Sequence, residues 1–265
     1  MVICHYSTNI RIESNFISRC QIYNQCKTIF VNVKLMTEED ITAKILEFSQ
    51  KLGIDVIGFA DPNLFNNFPE KNRPDYYLKK AKSIIIIGVH LYDIILDAWS
   101  ENQGSGKSFH FLDSILENYC NHIKHFLEQF NYQAEIITYT PGIYLKDAAA
   151  LAGIGPIGKN NLIITSEFGS QVRLRAIATT APLKNGEPIT ESHYCKECNL
   201  CINSCPAGAI NEQGYSKSRC LLFNLSNLKK LSKYTSIWCN VCIEVCPISK
   251  KAISSNIEGS FKDSE

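Results

Sequence analysis

The chain has 265 residues, 45% of them hydrophobic and 20% charged, with a formal net charge of +1. That is enough chain for one large domain or two smaller ones, with the composition of a globular protein rather than a disordered one. Near-neutrality gives no general electrostatic reason to expect DNA or an anionic membrane as partner. No run of 18 apolar residues predicts a transmembrane helix.

The first residues lack the basic start, apolar middle and small-residue cleavage site of a signal peptide, so the cytoplasm is the expected location. Residues 1–35 carry Cys4, Cys20 and Cys26 and no sustained hydrophobic period. Met36-Thr37-Glu38-Glu39-Asp40 then reads as a fresh protein start. Thr37 is a good N-cap, Asp40 stands at the capping-box position, and the first turn is acidic. Residues 1–35 are therefore expected to be an upstream extension or a poorly ordered arm.

Ile41, Ile45, Leu46, Phe48 and Leu52 mark an amphipathic helix ended by Gly53. A strand is expected over 54–60, then a polar loop and a short helix around 76–81. SIIIIGVHL (83–91) is a continuous apolar run, as expected of a central buried strand. NQGSGKS (102–108) reads as a flexible loop. Residues 109–130 carry apolar side chains at helical spacing. AEIITY (134–139) reads as a strand, 145–152 as an Ala-rich helix, LIITS (162–166) as a strand, and VRLRAIATTA (172–181) as a half-buried strand. The pattern predicts an α/β or α+β layered domain over 36–182. A polar linker with Pro and Gly leads into a cysteine-rich segment, 183–265.

That segment holds eight of the twelve cysteines. The first run is Cys195-x2-Cys198-x2-Cys201-x3-Cys205-Pro206, the run known from bacterial ferredoxins. The second, Cys239-x2-Cys242-x3-Cys246-Pro247, equals its last three cysteines, and Cys220 lies upstream to complete the count. Eight thiolates serve two [4Fe-4S] clusters. By the crossed ferredoxin rule, one takes Cys195, Cys198, Cys201 and Cys246, and the other Cys205, Cys220, Cys239 and Cys242. Two structural zinc ions are the alternative, since CxxC pairs also serve zinc. The double x2 spacing and the repeated Cys-Pro ending argue against it. Cys120 reads as an ordinary buried thiol.

The two runs, with the lone Cys220 in SRCLLFNL between them, resemble the double-cluster domain of the epoxyqueuosine reductases; reductive dehalogenases share the plan. AKSIIIIGVHL, SFHFLDSILENYCNHI and LAGIGPIGKNNLIIT resemble further family stretches in order, so the likeness runs from about residue 81 to 247. It implies an α+β chain: an N-terminal α/β layered, cobalamin-binding-like domain followed by a ferredoxin-like double-cluster domain. It also implies a cytoplasmic oxidoreductase whose clusters reduce a bound cobalamin, with the epoxide of a modified wobble base in tRNA as substrate. A low-potential ferredoxin or flavodoxin would supply the electrons. Two other readings are an electron carrier or reductive activator of a corrinoid protein, and a redox sensor.

In the family an Asp before Ala-Pro is the proposed general acid. The matching stretch here is TYTPGIY (138–144), with no Asp. Tyr139 is the nearest proton donor, with Lys146 expected to lower its pKa; the alternative is an aromatic packed in the core. Asp147 is a second candidate. Gly153-x-Gly155-x-x-Gly158 superficially matches a dinucleotide fingerprint but follows a helix and carries Pro156. A tight loop lining the corrin pocket, with Lys159 and Asn160 making polar contacts, is the preferred reading.

Overall fold

The computed structural model describes residues 36–101 and 108–249. The expected N-terminal extension with Cys4, Cys20 and Cys26, and the loop over 102–107, lie outside the described residues.

Helix α1 (Glu38–Leu52) begins at a capping box: Asp40 N donates to Thr37 Oγ1 at 3.1 Å, and Thr37 N to Asp40 Oδ2 at 3.3 Å. It ends at Gly53 in the left-handed region, φ 75°. Strand β1 (Val56–Ala60), the short helix α2 (Pro74–Tyr77) and strand β2 (Ser83–His90) follow. Next come β3 (Trp99–Glu101), β4 (Ser108–His110), α3 (Phe111–Glu128), β5 (Ala134–Ile136), α4 (Leu145–Leu151) and β6 (Val172–Thr179). The cysteine segment adds α5 (Leu200–Ser204), β7 (Ile210–Asn211), β8 (Gly214–Tyr215), α6 (Lys217–Ser226), β9 (Lys229–Lys230), β10 (Thr235–Ile237) and α7 (Val241–Glu244). None of the described helices is long and apolar enough to cross a membrane.

The main sheet runs β1-β2-β6-β5, antiparallel at every pair. The unbroken isoleucines of β2 reflect cover on both faces. Ile84 and Ile86 pack among Ala148, Ala149 and Ala152 beside α4. Ile85 and Ile87 point the other way, toward α3, whose buried stripe is Leu112, Leu116, Cys120, Ile123 and Leu127. Each such side chain contributes about 1.5–3 kcal/mol of burial. Helix α1 is tied to α3 by a Phe48–Phe126 stack, ring centroids 4.4 Å apart.

Three expectations shift. The short helix starts at Pro74 rather than near 76, because Pro at the first helical position fixes the entry dihedral. The strand expected over 134–139 stops at Ile136. Residues 162–166 form no strand of a sheet: Ile157–Ile163 and Thr165–Gly169 are isolated bridges within a loop folded on itself. Gly158 N donates to Leu162 O at 2.8 Å and Ile164 N to Pro156 O at 2.9 Å.

A second sheet, β4-β3-β10-β9, bridges the domain boundary expected near residue 183. Strand β10 of the cysteine segment pairs with β3, with Thr235 opposite Ser100 and Ser236 opposite Trp99. Trp99 and Trp238 stack with ring centroids 5.9 Å apart. The expected linker is also held: Gly186 N donates to Phe59 O at 2.8 Å and Ile189 N to Ala150 O at 2.9 Å. The described residues from Thr37 onward form one compact unit.

The folded loop leaves no room at Gly155, where an added Cβ would sit 2.2 Å from Ile164 O. Gly155→Ala should lower unfolding free energy by about 1–3 kcal/mol, read from the urea midpoint; an unchanged midpoint would contradict this packing.

Candidate functional site

The eight expected ligand cysteines line two cavities. One wall carries Cys195, Cys198, Cys201 and Cys246, and the other Cys205, Cys220, Cys239 and Cys242. The empty space, part of it open to solvent, is about 360 Å3 in the first and about 350 Å3 in the second. Each set draws one sulfur from the other run.

Local structure accounts for this sorting. Cys201 lies in the short helix α5 and Cys205 just beyond it, where the turn at Pro206 redirects the chain. Ala209 N donates to Cys205 Sγ at 3.3 Å. The buried Asn224 of α6 ties two ligands of the second set together. Its Oδ1 accepts from Cys239 N at 2.6 Å, and its Nδ2 donates to Cys220 O at 2.9 Å. Cys246 is brought to the first set by docking of the residues after it: Ser170 N donates to Ser249 Oγ at 3.1 Å. The close approach there requires Gly169, whose φ is 57°.

Three of the thiols are held where ionisation is unfavourable. Burial pushes Cys201 and Cys239 up, and Cys242 up to about 12; the neighbouring sulfurs add to the effect. These sulfurs keep their protons at neutral pH unless a cationic group takes the protons' place. Among the described residues no three Cys, His, Asp or Glu side chains converge tightly enough for a single ion. The thiols ring a space rather than a point. An all-thiol donor set around such a space fits a polynuclear iron–sulfur group.

Beside the second set opens a cleft with about 930 Å3 of empty space, including its open mouth. Its wall includes Cys220, Cys239 and Cys242, together with Asn160, Trp238 and Asp97. Asn160 is the one residue of the Gly-x-Gly-x-x-Gly-Lys-Asn string on this wall; its Nδ2 donates to Ser170 Oγ at 3.0 Å. The glycines serve close packing. An added Cβ at Gly153 would lie 2.9 Å from Glu187 O, and at Gly158 2.4 Å from Ile164 Cδ1. Lys159 reaches back to the first cysteine run, donating to Cys198 O at 3.1 Å and Asn199 Oδ1 at 2.8 Å.

Tyr139 sits in a charged network that the sequence reading missed. Its hydroxyl donates to Asp113 Oδ1 at 2.8 Å, and its ring lies 4.0 Å from the Arg175 guanidinium. Arg173 Nε meets Asp113 Oδ1 at 2.7 Å, and its Nη1 meets Asp97 Oδ1 at 2.6 Å. Strand alternation puts Arg173 and Arg175 on one face of β6, and the four-residue spacing puts Asp113 and Glu117 on the facing side of α3. Arg-x-Arg and Asp-x3-Glu were the available signals; nothing in the sequence said that they meet.

The expected lowering of the Tyr139 pKa is reversed. Burial and the Asp113 carboxylate hold the phenol well above its ordinary value. Lys146 instead donates to Asn161. Burial raises Asp113 too, but the Arg173 hydrogen bond and charge and the Tyr139 hydroxyl bring it below the usual carboxylate range. Asp147 lies in the first turn of α4 and is not among the residues of the cleft wall.

Solved structures of two enzyme classes share this fold. An epoxyqueuosine reductase with a tRNA-Tyr epoxyqueuosine-modified stem loop superposes with TM-score 0.63 at 23% identity, covering 81% of this chain and 66% of its own. A reductive dehalogenase structure concerned with B12-dependent dehalogenation does so with TM-score 0.54 at 14% identity, covering 80% of this chain and 33% of its own. Among curated proteins, the epoxyqueuosine reductase of Prochlorococcus marinus (strain NATL2A) is 30% identical over 217 residues, 74% of this chain and 67% of its own. That of Bacillus anthracis is 28% identical over 255 residues, covering 81% and 66%. No protein-family model matches the chain. The chain belongs to the epoxyqueuosine reductase family, and it spans about two thirds of the length of the curated relatives it matches.

Removing Arg173 leaves two partly buried carboxylates without their cation. Arg173→Leu should cost about 3 kcal/mol, measured by urea unfolding. The Asp113 contribution has a definite pH window. Its folded pKa is depressed, so the stabilisation is present above its unfolded value of about 3.9 and is lost as pH falls through the lower folded value. Asp113→Asn should shrink that acid-side loss; an unaltered pH profile would contradict the pairing.

Proposed function

We propose that this chain is an iron–sulfur oxidoreductase of the epoxyqueuosine reductase kind. Electrons enter from a low-potential one-electron donor such as a ferredoxin or flavodoxin, pass through two [4Fe-4S] clusters, and reach a cobalamin held in the cleft. The observation that carries the reading is the sorting of eight thiols into two cavities, the second of which shares its wall with the cleft.

Cys195, Cys198, Cys201 and Cys246 would hold one cluster, and Cys205, Cys220, Cys239 and Cys242 the other. Cobalamin would lie against Asn160, Asn161, Leu162 and Trp238; bound there, it would supply the two-electron reducing centre that side chains lack. The chain's own tasks are then to hold the sulfurs in two sets and to place the second set beside the pocket. Asn224 fixes two of those sulfurs. Lys159 places a positive charge at the carbonyls of the first run, where it offsets part of a cluster's negative charge.

Transfer RNA is the proposed substrate, in line with the relative solved with a tRNA stem loop. A local charge asymmetry supports it despite the neutral total. Lys217, Arg219, Lys229, Lys230 and Lys233 lie between residues 213 and 243, a stretch without a single Asp or Glu. Such a basic segment beside the cleft suits a phosphate backbone. A pure electron carrier would need no pocket, and the cleft favours the enzyme over that reading.

The test is anaerobic reconstitution with iron, sulfide and cobalamin, then gel filtration with metal analysis and absorbance. The expected result is about one cobalt per chain retained with the protein. Cys205→Ala and Cys246→Ala should each forfeit about half the iron, from opposite clusters, and Asn224→Ala should weaken the same cluster as Cys205→Ala. Elution free of corrinoid would leave the electron-carrier reading in its place.

A further inference from the structure

A reduction in the cleft consumes protons as well as electrons, and a proton donor must reach the reacting group. Neither residue singled out from the sequence is placed for this. The Tyr139 proton is engaged with Asp113, and Asp147 is not among the residues of the cleft wall. Asp97 is a carboxyl group on that wall, at the end of the turn Ile94–Asp97 that leads into β3.

The hydrogen bonds around Arg173 divide two acids into unequal roles. Asp113 receives Arg173 Nε at 2.7 Å, Arg173 Nη2 at 3.3 Å and the Tyr139 hydroxyl at 2.8 Å. Among the described residues, Asp97 receives only Arg173 Nη1, at 2.6 Å, on one oxygen. One guanidinium therefore faces two carboxylates in a partly buried setting, with Asp97 17% and Asp113 21% exposed at the side chain. Two like charges sharing one counter-ion are relieved when one acid keeps its proton, and the acid with fewer donors keeps it. We propose that Asp97 is the proton-carrying residue of the cleft, and that Arg173, Asp113 and Tyr139 are positioning residues that hold its charge balance. This rests on the reading of the cleft as a reductive site.

In each transfer the O–H bond of the Asp97 carboxyl breaks and a bond from that proton to the reduced group forms. The electrons come from the external low-potential donor. The carboxylate left behind keeps its hydrogen bond to Arg173, shares that cation with Asp113, and regains a proton from solvent. Among the described residues, the other groups that face or neighbour Asp97 are His110 at the start of α3 and Lys217, which also lines the cleft. The environments push the two acids apart as such a division requires: burial raises Asp97 despite Arg173, whereas Asp113 is drawn down.

The experiment is infrared pH-difference spectroscopy of the full, reconstituted chain carrying 13C-carboxyl aspartate. The expected result is a protonated-carboxyl band that shifts with the label and titrates above the ordinary aspartate value of about 3.9. The band should vanish in Asp97→Asn and persist in Tyr139→Phe. In Asp113→Asn, which leaves Arg173 to Asp97 alone, its midpoint should move toward acid; a merely structural role would not produce that shift. Absence of the band from the parent chain, or its survival in Asp97→Asn with an unaltered melting temperature, overturns the proposal. Cobalamin retention separates the two claims. Corrinoid bound with the band on another residue sinks the Asp97 role alone, whereas no corrinoid bound sinks the functional reading and leaves the infrared result standing.

Discussion

Buried thiols resist losing their protons, and this resistance governs the cysteine segment. Cys242 is pushed up to about 12 by burial and by the sulfurs around it, and Cys201 and Cys239 are raised for the same reasons, so these three would ionise at neutral pH only with a cationic group among them. Folding and loading are linked on this account: the group that fills each cavity supplies the charge that lets the cavity walls ionise. The protein's part is to hold the sulfurs in place beforehand. Asn224, Ser249 and the backbone at Ala209 do so with hydrogen bonds that need no bound group.

The same logic explains why the cysteine segment is not a free-standing ferredoxin. Strand β10 completes a sheet begun by β3, Lys159 reaches the first cysteine run from the glycine loop, and Gly169 receives Ser249. Each contact ties the cysteine segment to the larger part of the chain. The place of the second thiol set beside the cleft is thereby set by packed backbone.

Legibility from sequence divides along physical lines. The sorting of the cysteines into two sets was readable because their spacing is fixed within short covalent segments. The capping box at Thr37 and Asp40 and the apolar stripe of α3 were readable because they are local. The direction of the main sheet was not, since four isoleucines in a row report burial on both faces and say nothing of the neighbouring strand's sense. The network of Arg173, Asp97, Asp113 and Tyr139 was equally hidden. Its members come from β6, the turn before β3, α3 and the loop after β5, and only the fold brings them together. The glycine string shows the opposite hazard: a motif that looks chemical and instead relieves backbone crowding against Ile164 and Glu187.

Mössbauer spectroscopy of the chain reconstituted anaerobically with 57Fe tests the central claim most directly. The account predicts that all tightly bound iron, about eight atoms per chain, appears as [4Fe-4S] centres. Iron confined to mononuclear tetrathiolate sites, or zinc occupying the same cysteines in place of iron, would contradict it.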